Sequence, residues 1–266
     1  MCNGSIMDKL ISFSLPLMVS GILQLAFNAV DIIVVGRFSG SQALAAVGST
    51  TALINVFTNL FIGISLGANV LAARFYAAGK DREMSETVHT SITLALISGI
   101  MMAVIGVLLA KWALEIMGTP DDVIGQSALY MRIYFMGMPF FMLYNYGAAI
   151  LRAIGDTKRP LIFLIISGIA NAALNMTLVI LFHMGVAGVA IGTIISQLIS
   201  CVLVLTCLYR SEGSYQLRFS KLKINGAYME QIFQVGVPAG IQSTVINLSN
   251  ALLQSSVNSF GSIAMA

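Results

Sequence analysis

The chain has 266 residues, of which 58% are hydrophobic and only 9% are charged, with a net charge of +3 and a mean hydropathy of +0.90. Soluble domains usually carry about 25% charged residues. This composition excludes a soluble globular protein. It predicts an all-α polytopic membrane protein, for which we expect membrane lipid and no nucleic acid as a partner.

Apolar stretches long enough to cross a bilayer, roughly 20 residues each, recur along the chain. Six complete spans are predicted at 13–36, 50–76, 88–112, 127–150, 160–183 and 187–209, and a seventh begins near residue 229. The polar, basic stretch 210–228 is interpreted as a cytoplasmic interlobe linker. We therefore predict a six-helix lobe at 1–209, the linker at 210–228, and the first helix of an incomplete second lobe at 229–266.

The basic residues are unevenly distributed, and eleven of the fourteen lie at the N-terminus or in the second, fourth and sixth connections. These eleven are Lys9, Arg74, Lys80, Arg82, Arg152, Lys158, Arg159, Arg210, Arg218, Lys221 and Lys223. Lys and Arg are retained on the cytoplasmic side of a membrane. We expect a multi-pass protein of the cell inner (plasma) membrane with a cytoplasmic N-terminus, which places Asp31 in the outer half of the first span.

Asp31 is the only carboxylate inside the long apolar segments. Gln24, Asn28 and Asp31 follow a spacing that places all three on one helix face. A charged side chain at the centre of a bilayer costs at least ~2.5–3.5 kcal/mol and marks a functional site by default. We therefore expect this face to point into the bundle or into a wet cavity.

The seventh span repeats the beginning of the first. Phe13–Pro16 aligns with Val235–Pro238 after 222 residues, and Gly40–Ala45 aligns with Gly261–Ala266 after 221 residues. Six helices followed by a second unit in the same orientation predict a parallel two-lobe (6+6) pseudo-symmetric transporter. We expect the chain to hold a little over half of such a protein, truncated in the seventh helix and unable to alternate access alone.

Three segments together resemble the multidrug and toxic compound extrusion (MATE) family: Asn28–Asp31 followed by Gly36, the Gly40–Ala46 entry into the second helix, and Leu151–Pro160 after the fourth. The similarity runs through the whole chain in order. It implies two six-helix lobes in which entry of Na⁺ or H⁺ drives export of cationic, amphipathic compounds. The resemblance also implies a monomeric full transporter.

The resemblance assigns roles to individual residues. Asp31 matches the first-helix aspartate that the family associates with ion coupling, and Thr193 matches a cavity threonine. Where family members often carry an Asn and, four residues later, an Asp, this chain has Asn171 and Asn175. Gln197 lies one turn beyond Thr193 on the same helix face. Asp31 is therefore expected to carry the cavity charge alone.

The residues predicted to bind the ion or the substrate are Asp31, Asn28, Gln24, Asn171, Asn175, Thr193, Gln197 and Asn55. With no Lys or Arg deep in the membrane to neutralise it, Asp31 would take up a proton or bind Na⁺ together with amide oxygens. Either cation would favour a bend of the first helix at Pro16 or Gly21. We expect no other metal, and no cofactor.

Two other functions are compatible with a membrane chain of this composition. A lipid-linked oligosaccharide flippase of the same superfamily would need Arg or Lys in its cavity to hold an anionic pyrophosphate. A non-transporting, truncated membrane subunit would need a full partner. For an individual polar residue such as Asn55, the alternative is a hydrogen bond that only joins helices, at about 0.6 kcal/mol per contact. No motif typical of an enzyme is present in the sequence.

Overall fold

The structure, a computed structural model, describes residues 6–258, apart from the side chains of residues 6, 9, 250, 251 and 258. It contains α1 (Ile6–Phe38), α2 (Ser41–Ala77), α3 (Asp81–Ile116), α4 (Asp121–Met136), α5 (Met138–Ala153), α6 (Lys158–Met176), α7 (Gly185–Arg210) and α8 (Gly226–Asn258). No strand occurs within this described range, so the predicted all-α fold is confirmed. The repeat match at Gly261–Ala266 lies outside the described residues.

Five of the described helices are long and apolar enough to cross a membrane. They are α1, α2, α3, α6 together with the π-helical turn Thr177–Leu181, and α7. These helices contain the first, second, third and sixth predicted spans, and the fifth was predicted to end two residues beyond Leu181. The chain is therefore a multi-pass membrane protein.

The fourth span was predicted as one helix over 127–150, and this was wrong. The chain breaks at Gly137 into two helices of 16 residues each, α4 and α5. Pro139 stands in the first turn of α5, and a proline there lacks the amide and the space needed to continue the preceding helix. A Cβ atom at Gly137 would lie 2.8 Å from Gln197 Oε1, so the break also lets α7 approach closely.

The core lies around this break. Phe135, Met138, Met142, Tyr146 and Leu151 are fully or almost fully buried and belong to one hydrophobic cluster. They come from both α4 and α5, which pack between α2, α3 and α7. The division of the fourth span therefore creates the centre of the bundle, and these methionines serve packing.

The stretch predicted as a linker packs against the helix ends. Leu217 is fully buried and its amide donates to the Leu208 carbonyl over 3.0 Å. The Arg218 amide donates to His89 Nε2 over 3.1 Å, which joins the stretch to α3. A single 3-10 turn occupies Phe219–Lys221, and α8 then begins at Gly226, three residues before the predicted start.

Helix α8 crosses α2 at very short range. A Cβ atom at Gly63 would collide with the backbone of Gly240, and one at Gly236 would lie 2.5 Å from Ile64 Cα. Gly67 faces the Ile232 carbonyl in the same way. Glycines spaced four apart on facing helices allow the backbones to approach this closely, and such crossings hold membrane helices together by packing alone.

Candidate cation site around Asp31

A chain of hydrogen bonds joins α1, α6 and α7 at Asp31. Asn175 Nδ2 donates to Asp31 Oδ1 over 2.5 Å and lies 3.3 Å from Asn171 Oδ1. Asn171 Nδ2 in turn donates to Thr193 Oγ1 over 3.4 Å. Four of the predicted site residues, from three helices, therefore form one polar cluster.

Small residues on the neighbouring helices make room for this cluster. Asn171 and Asn175 are one turn apart on α6, and both are buried. A Cβ atom at Gly192 of α7 would collide with Asn175 Oδ1, so only glycine leaves space for the amide there. A Cβ atom at Gly168 would collide with the Phe27 ring, so this glycine lets α1 lie close to α6.

The Asp31 carboxylate forms no ion pair with any described residue, since the ion pairs found between residues 6 and 258 all involve other carboxylates. Asn175 Oδ1 is buried and accepts no hydrogen bond from the part of the chain that the structure describes. Carboxylate, amide and hydroxyl oxygens are the ligands that hard cations prefer. The oxygens of Asp31, Asn171, Asn175 and Thr193 are therefore the groups that could hold a small cation here.

Two tyrosines of α4, Tyr130 and Tyr134, also lie within electrostatic range of the Asp31 carboxylate. Their rings are 6.0 Å apart, and Tyr130 is buried. Sequence reasoning missed both. The available signal was a pair of aromatic residues with polar tips, spaced one turn apart in an apolar helix, because such tips usually find a polar partner when buried.

The other predicted site residues are not brought to Asp31 by any hydrogen bond in the described range. Gln24 and Asn28 lie on α1 with exposed side chains, and Asn55 is exposed on α2. Gln197 is half-buried beside Gly137 at the α4–α5 break. Of the three residues that share this face of α1, only Asp31 therefore belongs to the polar cluster.

A family model described as MatE matches residues 16–177, which is more than half of the chain. The chain belongs to the MatE family. The matched region includes most of α1 and all of α6, and so carries Asp31, Asn171 and Asn175. The resemblance found in the sequence is thereby confirmed.

Named relatives of this MatE chain are bacterial. It is 34% identical over 263 residues to the probable multidrug resistance protein YoeA of Bacillus subtilis (strain 168), covering 96% of this chain and 56% of that protein. It is 26% identical over 268 residues to the multidrug export protein MepA of Staphylococcus haemolyticus (strain JCSC1435), covering 99% and 58%. The MatE chain therefore spans a little over half the length of these relatives.

Solved MATE transporters share the fold. A transporter of the MOP superfamily in an inward-facing conformation superposes with a TM-score of 0.84 at 20% identity, over 97% of this MatE chain and 58% of the other. A MATE protein in the bent conformation gives a TM-score of 0.86 at 21% identity, over 93% and 55%. The arrangement of helices in the MatE chain is therefore that of a MATE transporter's corresponding part.

Proposed function

We propose that this chain belongs to a secondary active efflux transporter, an antiporter that exports cationic amphipathic compounds in exchange for Na⁺ or H⁺. One observation carries the proposal: the deep carboxylate of Asp31 is held by Asn175 and lacks an ion pair among the described residues. A carboxylate at membrane depth without an ion-pair partner is too costly to keep for packing alone. A mobile cation that neutralises Asp31 in part of the cycle accounts for it.

The hydrogen-bond geometry supports a coupling role for Asn175. An ionised Asp31 only accepts hydrogen bonds, and Asn175 Nδ2 supplies one. A protonated Asp31 would become a donor, and the buried Asn175 Oδ1 is an acceptor that has no partner in the described range. A sodium ion would instead be bound by the Asp31 carboxylate and by Asn175 Oδ1. Either cation changes the contact of Asp31 on α1 with Asn175 on α6. Binding of the cation would therefore favour a movement of α1.

The negative charge of the polar cluster favours a cationic substrate. The lone charge in the polar cluster is negative, whereas a flippase for a pyrophosphate lipid needs Arg or Lys to bind its anionic group. The relatives' names, which refer to multidrug resistance and multidrug export, agree with an amphipathic substrate. We propose a monomeric transporter in the plasma membrane, embedded in lipid.

Drug export tests the function. Cells that express the transporter should remove a cationic dye faster than cells without its gene, under an imposed Na⁺ gradient or an imposed H⁺ gradient. Asp31→Asn keeps shape and hydrogen bonding but removes the charge, so we expect export to fall to the level of cells without the gene. Asp8→Asn, on the exposed first turn of the same helix, is the matched control and should export normally. Equal export by parent and Asp31→Asn under both gradients would contradict the proposal.

The orientation of the chain is part of the proposal. The loops near Lys80, Arg159 and Arg218 are proposed to be cytoplasmic, because basic residues are retained there. Single cysteines placed in these loops should react with a membrane-impermeant maleimide only in everted vesicles. A cysteine near Arg37, at the opposite end of α1, should react in intact cells. The reverse pattern would overturn the orientation.

A further inference from the structure

A cavity lies at the end of the bundle where α1 finishes. Its volume is about 320 Å³, and it is formed by the junction of α1 and α2, by α4, and by the segment between the π-helical turn and α7. Its lining includes Phe38, Ser39, Gln126, Val179, His183 and Val186. With a cytoplasmic N-terminus, this end faces the outside.

The cavity lies in line with the polar cluster around Asp31. Phe38 follows Asp31 by seven residues on α1, and Val186 precedes Thr193 by seven residues on α7. Val179 follows Asn175 by four residues. Residues three to four or seven apart share a helix face, so the cavity walls continue the faces that carry the cluster. At 1.5 Å per residue, the cavity begins about 6–10 Å beyond it.

Buried valines occupy the helix turns between the residues that line the cavity and those of the polar cluster. Val34 and Val35 of α1 and Val189 of α7 are almost completely buried and belong to the same hydrophobic cluster. Val179 and Val186 belong to it as well, and both also line the cavity. These five valines, here called the valine layer, form an apolar floor between the outer cavity and Asp31.

Two oxygen atoms near the valine layer accept no hydrogen bond from any residue between 6 and 258. Ser39 Oγ and Gln126 Oε1 are both buried and both belong to cavity-lining residues. Leaving a buried acceptor unpaired costs about 1–3 kcal/mol, so such groups need an explanation. The π-helical turn beside them is of a kind found frequently at functional sites.

The cavity lies on the same helix faces as the polar cluster and is lined by the residues that carry these two oxygens. We propose that this cavity is the outer vestibule through which a small monovalent inorganic cation reaches Asp31. Ser39 and Gln126 replace part of its hydration shell, and the valine layer is the barrier that it must cross. The proposal rests on the cation site of the proposed function. It adds a route inside this lobe and a barrier that sets the rate of access.

The rate at which a water-soluble carbodiimide modifies Asp31 from the outer face tests this route. The reagent is added to sealed proteoliposomes of known orientation, and mass spectrometry identifies the modified peptide. Val186→Ala removes part of the valine layer, so we expect Asp31 to be labelled at least threefold faster. Val204→Ala removes the same two methyl groups from a fully buried position elsewhere on α7 and should leave the rate unchanged.

A blocking variant tests the cavity from the other direction. Ser39→Trp places a large ring in the vestibule and should slow labelling of Asp31 at least threefold. Ser41→Trp, at the exposed first position of α2, should not slow it. Three results would overturn the vestibule proposal. The first is that Asp31 of Val186→Ala is labelled no faster than Asp31 of Val204→Ala. The other two are faster labelling from the opposite face and labelling of Asp31 in none of the variants.

Adding Na⁺ or acid to the same reactions separates the two proposals. Faster labelling of Val186→Ala, with no effect of either cation on any variant, would support the vestibule and contradict the cation site. Cation-dependent labelling that Val186→Ala and Ser39→Trp leave unaltered would support the cation site and overturn the vestibule.

Discussion

Helices α1 and α8 begin repeat-related sequences, yet they pack in opposite ways. Each has 33 residues and an internal proline, Pro16 in α1 and Pro238 in α8. Helix α8 lies against the backbone of α2 through facing glycines. Helix α1 exposes much of its apolar surface, including Leu25 with 72% of its area accessible. It meets α6 chiefly where Phe27 covers Gly168 and where Asn175 binds Asp31.

The difference indicates which helix is anchored and which can move. A backbone contact between glycines is fixed by close packing and resists small displacements. A contact made by one aromatic ring and one amide can be changed by neutralising a single carboxylate. We infer that α8 holds its position on the lobe while α1 responds to the cation.

The largest effect should come from filling the α2–α8 crossing. Gly236→Leu places a side chain where even a Cβ atom would lie 2.5 Å from Ile64 Cα. Overpacking typically costs 1–3 kcal/mol, and a clash with backbone that cannot move should cost more than about 3 kcal/mol. Thermal unfolding in detergent measures it.

Gly21→Leu is the matched control on α1, because nothing lies within 4 Å of a Cβ atom at that position. It should unfold close to the parent. Equal destabilisation by the two substitutions would remove the contrast between an anchored α8 and a free α1.

A smaller effect is expected at the contact between α1 and α6. Gly168→Leu should push the Phe27 ring away and cost about 1–3 kcal/mol. It should also weaken cation binding, because the displaced α1 carries Asp31. The double variant Gly168→Leu/Phe27→Ala tests the cause, since removing the ring should restore part of both losses. Additive losses in a double-mutant cycle would show that the two residues do not interact.

The most local effect, on the affinity for the coupling cation, is expected at Asn175. Asn175→Ala removes the hydrogen bond to Asp31 and one candidate cation ligand. A hydrogen bond to a charged group contributes about 1.5–3 kcal/mol, so affinity for the coupling cation should fall roughly tenfold or more. Asn59→Ala, whose amide bonds only the Asn55 carbonyl of its own helix among the contacts found, should bind normally. Equal affinities would exclude Asn175 as a ligand.

Sequence reasoning predicted the spans well because hydropathy reports directly on the bilayer. It failed at Gly137, since the hydropathy of 127–150 does not reveal a break that depends on Pro139 and on the approach of α7. It also missed the α2–α8 crossing. Both helices carry glycines four residues apart, but this pattern in one helix does not identify the helix that packs against it.

The candidate site was predictable in part. Asp31 was identified by its charge, and family resemblance led to Asn171, Asn175 and Thr193, which the structure joins to it. Helix periodicity placed Gln24 and Asn28 on the face of Asp31, but periodicity does not say what lies opposite a face. Their exposure depends on neighbouring helices, as does the approach of the α4 tyrosines.

The central claim, that the Asp31 carboxylate binds the coupling cation, is tested most directly by infrared difference spectra of the purified chain in lipid. Pulses of Na⁺ and of acid are given at constant ionic strength, with N-methylglucamine as the inert cation. We predict a carboxylate band that changes with at least one of the two cations in the parent and in Asp8→Asn, and that is missing in Asp31→Asn. The same band in Asp31→Asn as in the parent would contradict the account.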